Sequence, residues 1–392
     1  MININVCGVP DQILFILLLS YAAATLVQLL YWLGMFSALV FTERKVPQEK
    51  EDLTKDRNKK RNEPVKNISI VVCARNEEKK VRLNLPLLLN QNYRSFEILI
   101  IDDHSSDGTA DAVMEFQDKY AYLRIVKNNN TKKSAGKKDA LTVGLKAARF
   151  DIIAVTDADC APGSENWLRK MSELLDDDKD IVLGYGPYLP EAGLLNKFVR
   201  FETAMTAIQY FSYALAGIPY MGVGRNMMYR KSCFEANDGF RSHEHIASGD
   251  DDLFIRDIAN LKNVVISLDS DTFIYSASKP SLHSYLQQKM RHLSTGKHYK
   301  WYHQFLLGLY GASHAWHYFA LIMLMLSKYF LLLTICLYFL RIFTVTFICT
   351  HVFKKLREQS ILKSIVWLDA AMSIYYILAA PLAYITKTRT WK

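Results

Sequence analysis

The six cysteines of this 392-residue chain, Cys7, Cys73, Cys160, Cys233, Cys336 and Cys349, are scattered and show no metal-type spacing. Neither a zinc cluster nor a disulfide framework is implied. Cys73 and Cys160 fall in or beside predicted strands and read as buried structural thiols. No basic stripe interleaved with aromatics is present, so the formal net charge of +9 does not mark a nucleic-acid binder. Membrane orientation and solubility account for it instead. Complete glycine fingerprints are also missing. Gly136-Lys137-Lys138 lacks the upstream glycine and the Ser/Thr of a P-loop, and Gly222-Val223-Gly224 lacks the third glycine of a dinucleotide fingerprint.

Residues 13–41 hold no Lys, Arg, Asp or Glu. The run is longer than the roughly 20 residues that span a bilayer. A cleaved signal peptide is the alternative, with Ala22-Ala23-Ala24 as a mimic of a cleavage site. No basic n-region precedes the run, and its length exceeds the usual h-region of about 7–15 residues. The next segment, 44–66, is crowded with Lys and Arg and belongs on the cytosolic side. A second apolar region, 305–385, divides at Lys328 and at the basic loop Lys354-Lys355-Leu356-Arg357. Spans are expected at 305–327, 329–353 and 361–385, with Arg341 inside one of them. Residues 281–304 carry His283, His292, His298 and His303 among Tyr285, Tyr299, Trp301 and Tyr302, and read as an amphipathic interfacial stretch. Residues 198–215 read as a helix against the membrane rather than another span, because Arg200 and Glu202 begin them. The expected organisation is an anchor at 1–42, a basic linker at 43–66, a mixed-composition domain at 67–280, the interfacial stretch, and a membrane region from 305 to 392.

The middle of the chain alternates short β-branched runs with helical spacing. Strands are expected at 68–74, 96–101, 122–126 and 151–156, with a helix disturbed at Pro86, one begun by Asp107 as N-cap, and one over 137–149. Residues 127–136 read as a polar loop. This rhythm predicts an α/β fold built on a mostly parallel sheet. Ligands bind such sheets at the carboxyl ends of the strands. Three polar clusters fall there: Arg75-Asn76-Glu77, Asp102-Asp103 and Asp157-Ala158-Asp159. Side chains two apart on an extended segment point the same way, so Asp157 and Asp159 leave their strand together. Such a carboxylate pair repels itself unless a positive charge lies between its members. A hard divalent cation with oxygen ligands is the usual solution, and it also grips phosphate oxygens.

Taken in order, these segments resemble the family 2 glycosyltransferases, which have a GT-A fold. The resemblance runs from about residue 67 to His292. Ile70-Val71-Val72-Cys73-Ala74-Arg75-Asn76-Glu77-Glu78 is similar to the opening strand and nucleotide loop. Ile101-Asp102-Asp103-His104-Ser105-Ser106-Asp107-Gly108-Thr109 is similar to the second motif, and Gly136-Lys137-Lys138-Asp139-Ala140-Leu141 to the donor-side loop. Asp157-Ala158-Asp159 matches the metal motif. Gly249-Asp250-Asp251-Asp252-Leu253 resembles Glu-Asp-x-Asp-Leu, and Gln288-Lys289-Met290-Arg291-His292 resembles Gln-x-x-Arg-Trp. Gly249 stands where the family has Glu, and His292 where it has Trp, which leaves acceptor geometry open.

The resemblance implies that Arg75, Asn76, Glu77, Asp102 and Asp103 surround the base and ribose of a sugar nucleotide, with Lys137 nearby. It implies Asp159 as direct ligand of Mg2+ or Mn2+, with Asp157 close to the metal or ribose. Asp250 aligns with the catalytic base. Asp251 is the register alternative, and Asp252 joins Gln288, Arg291 and His292 on the acceptor side. Breaking the anomeric carbon–phosphate bond leaves a nucleoside diphosphate whose growing charge a cation can neutralise. The acceptor hydroxyl needs a carboxylate to take its proton. One displacement inverts the anomeric centre with no covalent intermediate. The expectation is a membrane-bound inverting transferase with a cytosolic site, in a bacterial inner membrane. Its donor is a UDP-sugar at the family level, with GDP open, and its acceptor a lipid or lipid-linked saccharide. A processive polysaccharide synthase is the nearer alternative, and a non-catalytic binding scaffold the more distant one.

Overall fold

The computed structural model describes residues 10–42, 66–130 and 136–385. The basic linker, apart from Lys66, and the middle of the polar loop lie outside them. The chain divides into two compact units: Glu43–Ala192 with Tyr213–Ser281 and Lys387–Lys392, and Met1–Thr42 with Gly193–Ser212 and Leu282–Thr386.

The first unit is built on β1 (Ile68–Ala74), β2 (Phe96–Asp102), β3 (Leu123–Lys127), β4 (Ile152–Asp157), β5 (Cys160–Pro162), β6 (Ile181–Leu183), β7 (Met227–Arg230), β8 (Val264–Ile266) and β9 (Ile274–Ser276). Seven of these form one sheet in the order β3-β2-β1-β4-β7-β6-β8, while β5 and β9 pair separately. β1 runs parallel to β2 and β4, and β2 to β3. β7 enters antiparallel to both β4 and β6. Every residue of β1 is buried, as expected of a strand covered on both faces. The expected strands lie within a residue or two of those observed.

The crossover helices are α3 (Glu78–Leu89), α4 (Thr109–Gln117) and α5 (Lys138–Ala147), with α6 (Trp167–Ser172) packed beyond them. α3 continues through Pro86 to Leu89 rather than breaking there. Pro86 carries no N–H to donate, but its carbonyl still accepts from Asn90 at 3.1 Å. The N-cap of α4 is Gly108, one residue later than expected. Asp107 acts just outside the helix, its Oδ1 accepting the Thr109 N–H at 3.1 Å. One core cluster joins Ile70, Val72, Leu85, Ile98, Val113, Ala154 and Trp167. The buried Glu97 of β2 is satisfied by Ser69 at 2.8 Å and Arg124 at 2.9 Å.

The second unit is helical: α1 (Asp11–Leu29), a π-helical segment Leu30–Phe36, and α2 (Ala38–Phe41) form one rod, followed in sequence by α7 (Leu194–Leu215) up to Ser212, α10 (Leu282–Leu293), α11 (Trp301–Ser327), α12 (Leu331–Lys355) and α13 (Ile365–Ile385). Two short helices, α8 (Lys231–Ala236) and α9 (Asp252–Ile258), belong to the sheet unit. Asp11–Phe41, Leu331–Lys355 and Gln359–Leu378 are long and apolar enough to cross a membrane, with mean hydropathies of 2.3, 2.2 and 1.5. The span expected over 305–327 corresponds to α11, which is long enough at 27 residues. It is not among the helices apolar enough to qualify. The reason is its polar inner face: His303, His314 and His317 are all buried.

His314 belongs to a charged centre inside the helical unit, and His317 bonds to Thr25 of α1 at 2.9 Å. Arg341 of α12 is fully buried and donates to Asp369 of α13 at 2.5 and 3.3 Å. It also reaches Gln28 of α1 at 3.1 Å and His314 of α11 at 3.0 Å. Tyr318 Oη donates to Asp369 at 2.6 Å. Sequence spacing gives His314 and His317 no carboxylate of their own; Asp369 supplies one to His314 from another helix. The charges of α7 are also paired within this unit, Arg200 with Glu358 at 2.5 Å and Glu202 with Lys289 at 2.5 Å. Lys355 donates to the carbonyls of Leu39, Val40 and Thr42 at 2.8, 2.8 and 2.6 Å. The end of the first apolar helix and the α12–α13 loop therefore lie on one side of the bundle.

Candidate active site

Parallel registration aligns the carboxyl ends of three strands. Ala74 lies opposite Asp102 and Cys73 opposite Asp157. The three polar clusters predicted from sequence thus leave the sheet along one edge.

The first two clusters lock each other. Asn76 adopts φ 54°, and its Oδ1 accepts the Ser106 N–H at 2.8 Å. Its own N–H donates to Ser105 Oγ at 3.0 Å, and the Glu77 N–H to Thr109 Oγ1 at 2.9 Å. Asp102 accepts the Ser105 N–H at 3.1 Å and shapes the turn. Asp103 accepts from Asn128 Nδ2 at 2.7 Å and from His104 at 3.2 Å. Asn76 is exposed, and Arg75 and Glu77 are half-buried, above this braced base.

The third cluster is the acidic one. Donor atoms of Asp157, Asp159 and Cys160 lie within 4.8 Å of one another, a spacing that fits a metal ion. The carboxylate pair suits a hard divalent cation. Cys160 opens β5, and its thiol points at Asp159 at 3.4 Å. Burial, and Asp159 after it, hold that thiol well above the usual range.

Lys137 joins this cluster to the acidic triplet. Its ammonium pairs with Asp157 and stands 3.4 Å from Asp250. Burial opposes its charge, but the two carboxylates outweigh burial and keep it well above the ordinary lysine value. The neighbouring Lys138 is 2% exposed and donates to the carbonyls of His243 and Ile246 at 2.6 and 2.9 Å, fixing the loop that leads into the triplet. Burial pulls its pKa down to about 8, with Asp250, Asp252 and Asp251 opposing.

The three triplet carboxylates have different settings. Asp250 is partly accessible and faces Lys137. Asp251 caps α9, accepting the Asp252 N–H at 2.8 Å, and also takes the Gly224 N–H at 2.9 Å. Burial, Asp250 and Asp252 push Asp251 up to about 7. Asp252 is 5% exposed and accepts the Leu253 N–H at 2.7 Å. Gly249 explains the departure from Glu at that position. Its φ of +97° is a glycine conformation, and a Cβ there would meet Leu253 Cδ1 at 2.6 Å.

Residues 69–237 match the family model described as glycosyl transferase family 2. The chain carries a family 2 glycosyltransferase domain. One relative of this glycosyltransferase is the protein named "Probable glycosyltransferase YdaM" of Bacillus subtilis (strain 168), 28% identical over 218 residues, which are 53% of this chain and 48% of the relative. Another is the beta-monoglucosyldiacylglycerol synthase of Trichormus variabilis, 35% identical over 103 residues, 26% of this chain and 22% of the relative. The chain spans about half or less of the length of these curated relatives. Among solved structures, the mannosyltransferase PcManGT from Pyrobaculum calidifontis, in complex with GDP-Man and Mn2+, superposes with a TM-score of 0.57 at 16% identity, covering 92% of this chain and 99% of that one. At that identity the likeness carries the GT-A fold.

Three groups escaped the sequence reading. Cys160 adds a soft donor atom beside the glycosyltransferase's Asp-x-Asp. Lys138 braces the loop before Asp250. Arg225 follows Gly222-Val223-Gly224, a segment weighed only as a dinucleotide fingerprint. Gln288, Arg291 and His292, read as acceptor-side residues, lie on α10 in the helical unit.

Proposed function

We propose that this glycosyltransferase moves a sugar from a nucleoside diphosphate to an acceptor hydroxyl by a single inverting displacement. The observation that carries the reading is Lys137, whose ammonium is shared by a carboxylate of the metal motif and by Asp250. Asp157 and Asp159, with Cys160 beside them, would hold a divalent cation. When bound, that cation supplies charge neutralisation on the departing diphosphate. Asp250 accepts the acceptor's proton on its carboxylate, being the member of the triplet that is partly accessible and not engaged in capping. Asp251 is too occupied with two backbone N–H groups to turn toward an acceptor. Arg75, Asn76, Glu77 and Asp103 bind the base and ribose, with Asp102 shaping their turn. Lys137 holds the two carboxylates on one counter-charge and lies by the nucleotide.

The acceptor is a membrane lipid or lipid-linked saccharide. Three apolar helices and the amphipathic α10, which carries Gln288, Arg291 and His292, support this. A relative named for a diacylglycerol glycolipid points the same way. The shared side of the first helix end and the basic α12–α13 loop supports a cytosolic catalytic face, where sugar nucleotides are made. A bacterial inner membrane fits this reading.

The deciding experiment is release of nucleoside diphosphate from a panel of UDP- and GDP-sugars in detergent, with Mn2+ or Mg2+ and total membrane lipid. Turnover of one donor, lost with EDTA and with Asp250→Asn, is expected. Binding of no donor would overturn the reading. A ladder of products in place of a single addition would identify a processive synthase.

A further inference from the structure

Arg225 lies in the loop between Gly222 and β7, and its backbone is held rigidly on both sides. The preceding residue, Gly224, donates its N–H to Asp251 at 2.9 Å. The following residue, Asn226, is fully buried and makes five hydrogen bonds: its Nδ2 donates to the carbonyls of Tyr185 and Thr272, both at 2.7 Å, its Oδ1 accepts from Trp167 Nε1 at 3.0 Å, its N–H donates to the Val223 carbonyl at 2.8 Å, and its carbonyl accepts the Gly184 N–H at 3.0 Å. The guanidinium itself lies over the Tyr188 ring, 4.7 Å from its centroid. Its Nε donates to the Gly186 carbonyl at 3.1 Å, and a second N–H reaches the same oxygen.

Gly186 is shaped around this side chain. A Cβ there would come within 2.3 Å of Arg225 Nε, so only glycine leaves the guanidinium its place. Among the described residues no carboxylate lies within ion-pair distance of Arg225. The charge is nevertheless close enough to Asp157 and Cys160 for both to act on it. A half-buried, permanently charged group is thus held by Tyr188, through its ring face and a side-chain hydrogen bond, and by one carbonyl, with N–H donors to spare. It neighbours the metal motif, through the charge of Asp157, and the acidic triplet, through the Gly224–Asp251 hydrogen bond. A bond broken between a metal-held diphosphate and a sugar attacked by a base-activated hydroxyl would lie between the same two groups.

We propose that Arg225 is a donor-binding residue that takes the diphosphate of the sugar nucleotide. The assignment rests on the donor-site reading above. A planar guanidinium matches phosphate oxygens in paired fashion, and a charge that needs no metal complements the cation on the departing group. A purely structural arginine would tie Gly186 to the loop and do nothing more.

Binding measurements separate the two. The full chain in detergent with Mn2+ is titrated with UDP, GDP, UMP and GMP, as wild type, Arg225→Met and Arg225→Lys. Wild type should prefer one diphosphate over its monophosphate. Arg225→Met should weaken that diphosphate about tenfold or more, the scale of a lost charged hydrogen bond, while the monophosphate changes little. Arg225→Lys should recover part of the loss. Equal losses on both nucleotides, or none on either, would overturn the assignment. If Arg225→Met does not fold, Arg225→Lys alone decides, because loss of the planar fork must still cost the diphosphate more than the monophosphate. Wild type that binds no diphosphate would overturn the donor-site reading itself.

Discussion

The Lys137 ammonium stands 3.4 Å from Asp250 while paired to Asp157, so one buried cation joins the Asp-x-Asp to the acidic triplet. Removing it leaves two carboxylates facing each other without a counter-charge. Lys137→Met is expected to lower kcat/KM by about 100-fold or more, on the scale of a lost charge contact at a reacting centre. It should also raise the metal concentration dependence less than it lowers turnover. Steady-state kinetics over a Mn2+ series would check this, and near wild-type kcat/KM would refute the bridging role.

Asp251 gives a pH signature. Burial and its two neighbouring carboxylates raise it to about 7, above the unfolded value near 3.8. The folded state therefore binds more protons than the unfolded state between those values. Its stability contribution is fully present below about pH 4 and is lost as pH rises through 7. Wild type should lose stability relative to Asp251→Asn between pH 5 and 8, as followed by thermal unfolding in detergent. A constant difference across that range would contradict the shift.

Gly249 is tested by its conformation. Gly249→Ala introduces a Cβ against Leu253 at a φ of +97°. The expected cost is about 1–3 kcal/mol of local strain. It displaces the residue that leads directly into Asp250, so turnover should fall more than donor binding. Unaltered kcat in this variant would show that the loop tolerates the change.

In the helical unit, Arg341→Leu or Asp369→Leu leaves an unpaired charge among apolar helices. Each single change should destabilise by about 3–5 kcal/mol. The double variant should be less destabilised than either single one, because no charge is stranded. Detergent thermal stability of the three variants measures this. A double variant worse than both singles would mean that the remaining polar contacts, to Gln28, His314 and Tyr318, carry the centre.

The sequence by itself determined the strands, their parallel class and the residues at their ends. Buried parallel strands are short β-branched runs, and the active edge of such a sheet is where those runs stop, so Arg75, Asp103 and Asp157 could be placed without coordinates. Local conformation was also legible to within a residue, as at Asp107. The tertiary structure alone decided which groups meet. Lys137 and Asp250 are 113 positions apart, and only the packing of α5 beside β1 brings the lysine to the triplet. Asp369 lies in a segment whose mean composition is apolar, and its partner Arg341 is on another helix. Arg225 follows a glycine pair that resembles a different motif, and its guanidinium is placed by Gly186, which follows the neighbouring strand β6. Charge pairing over such separations depends on distance in space, to which residue order along one chain gives no direct guide.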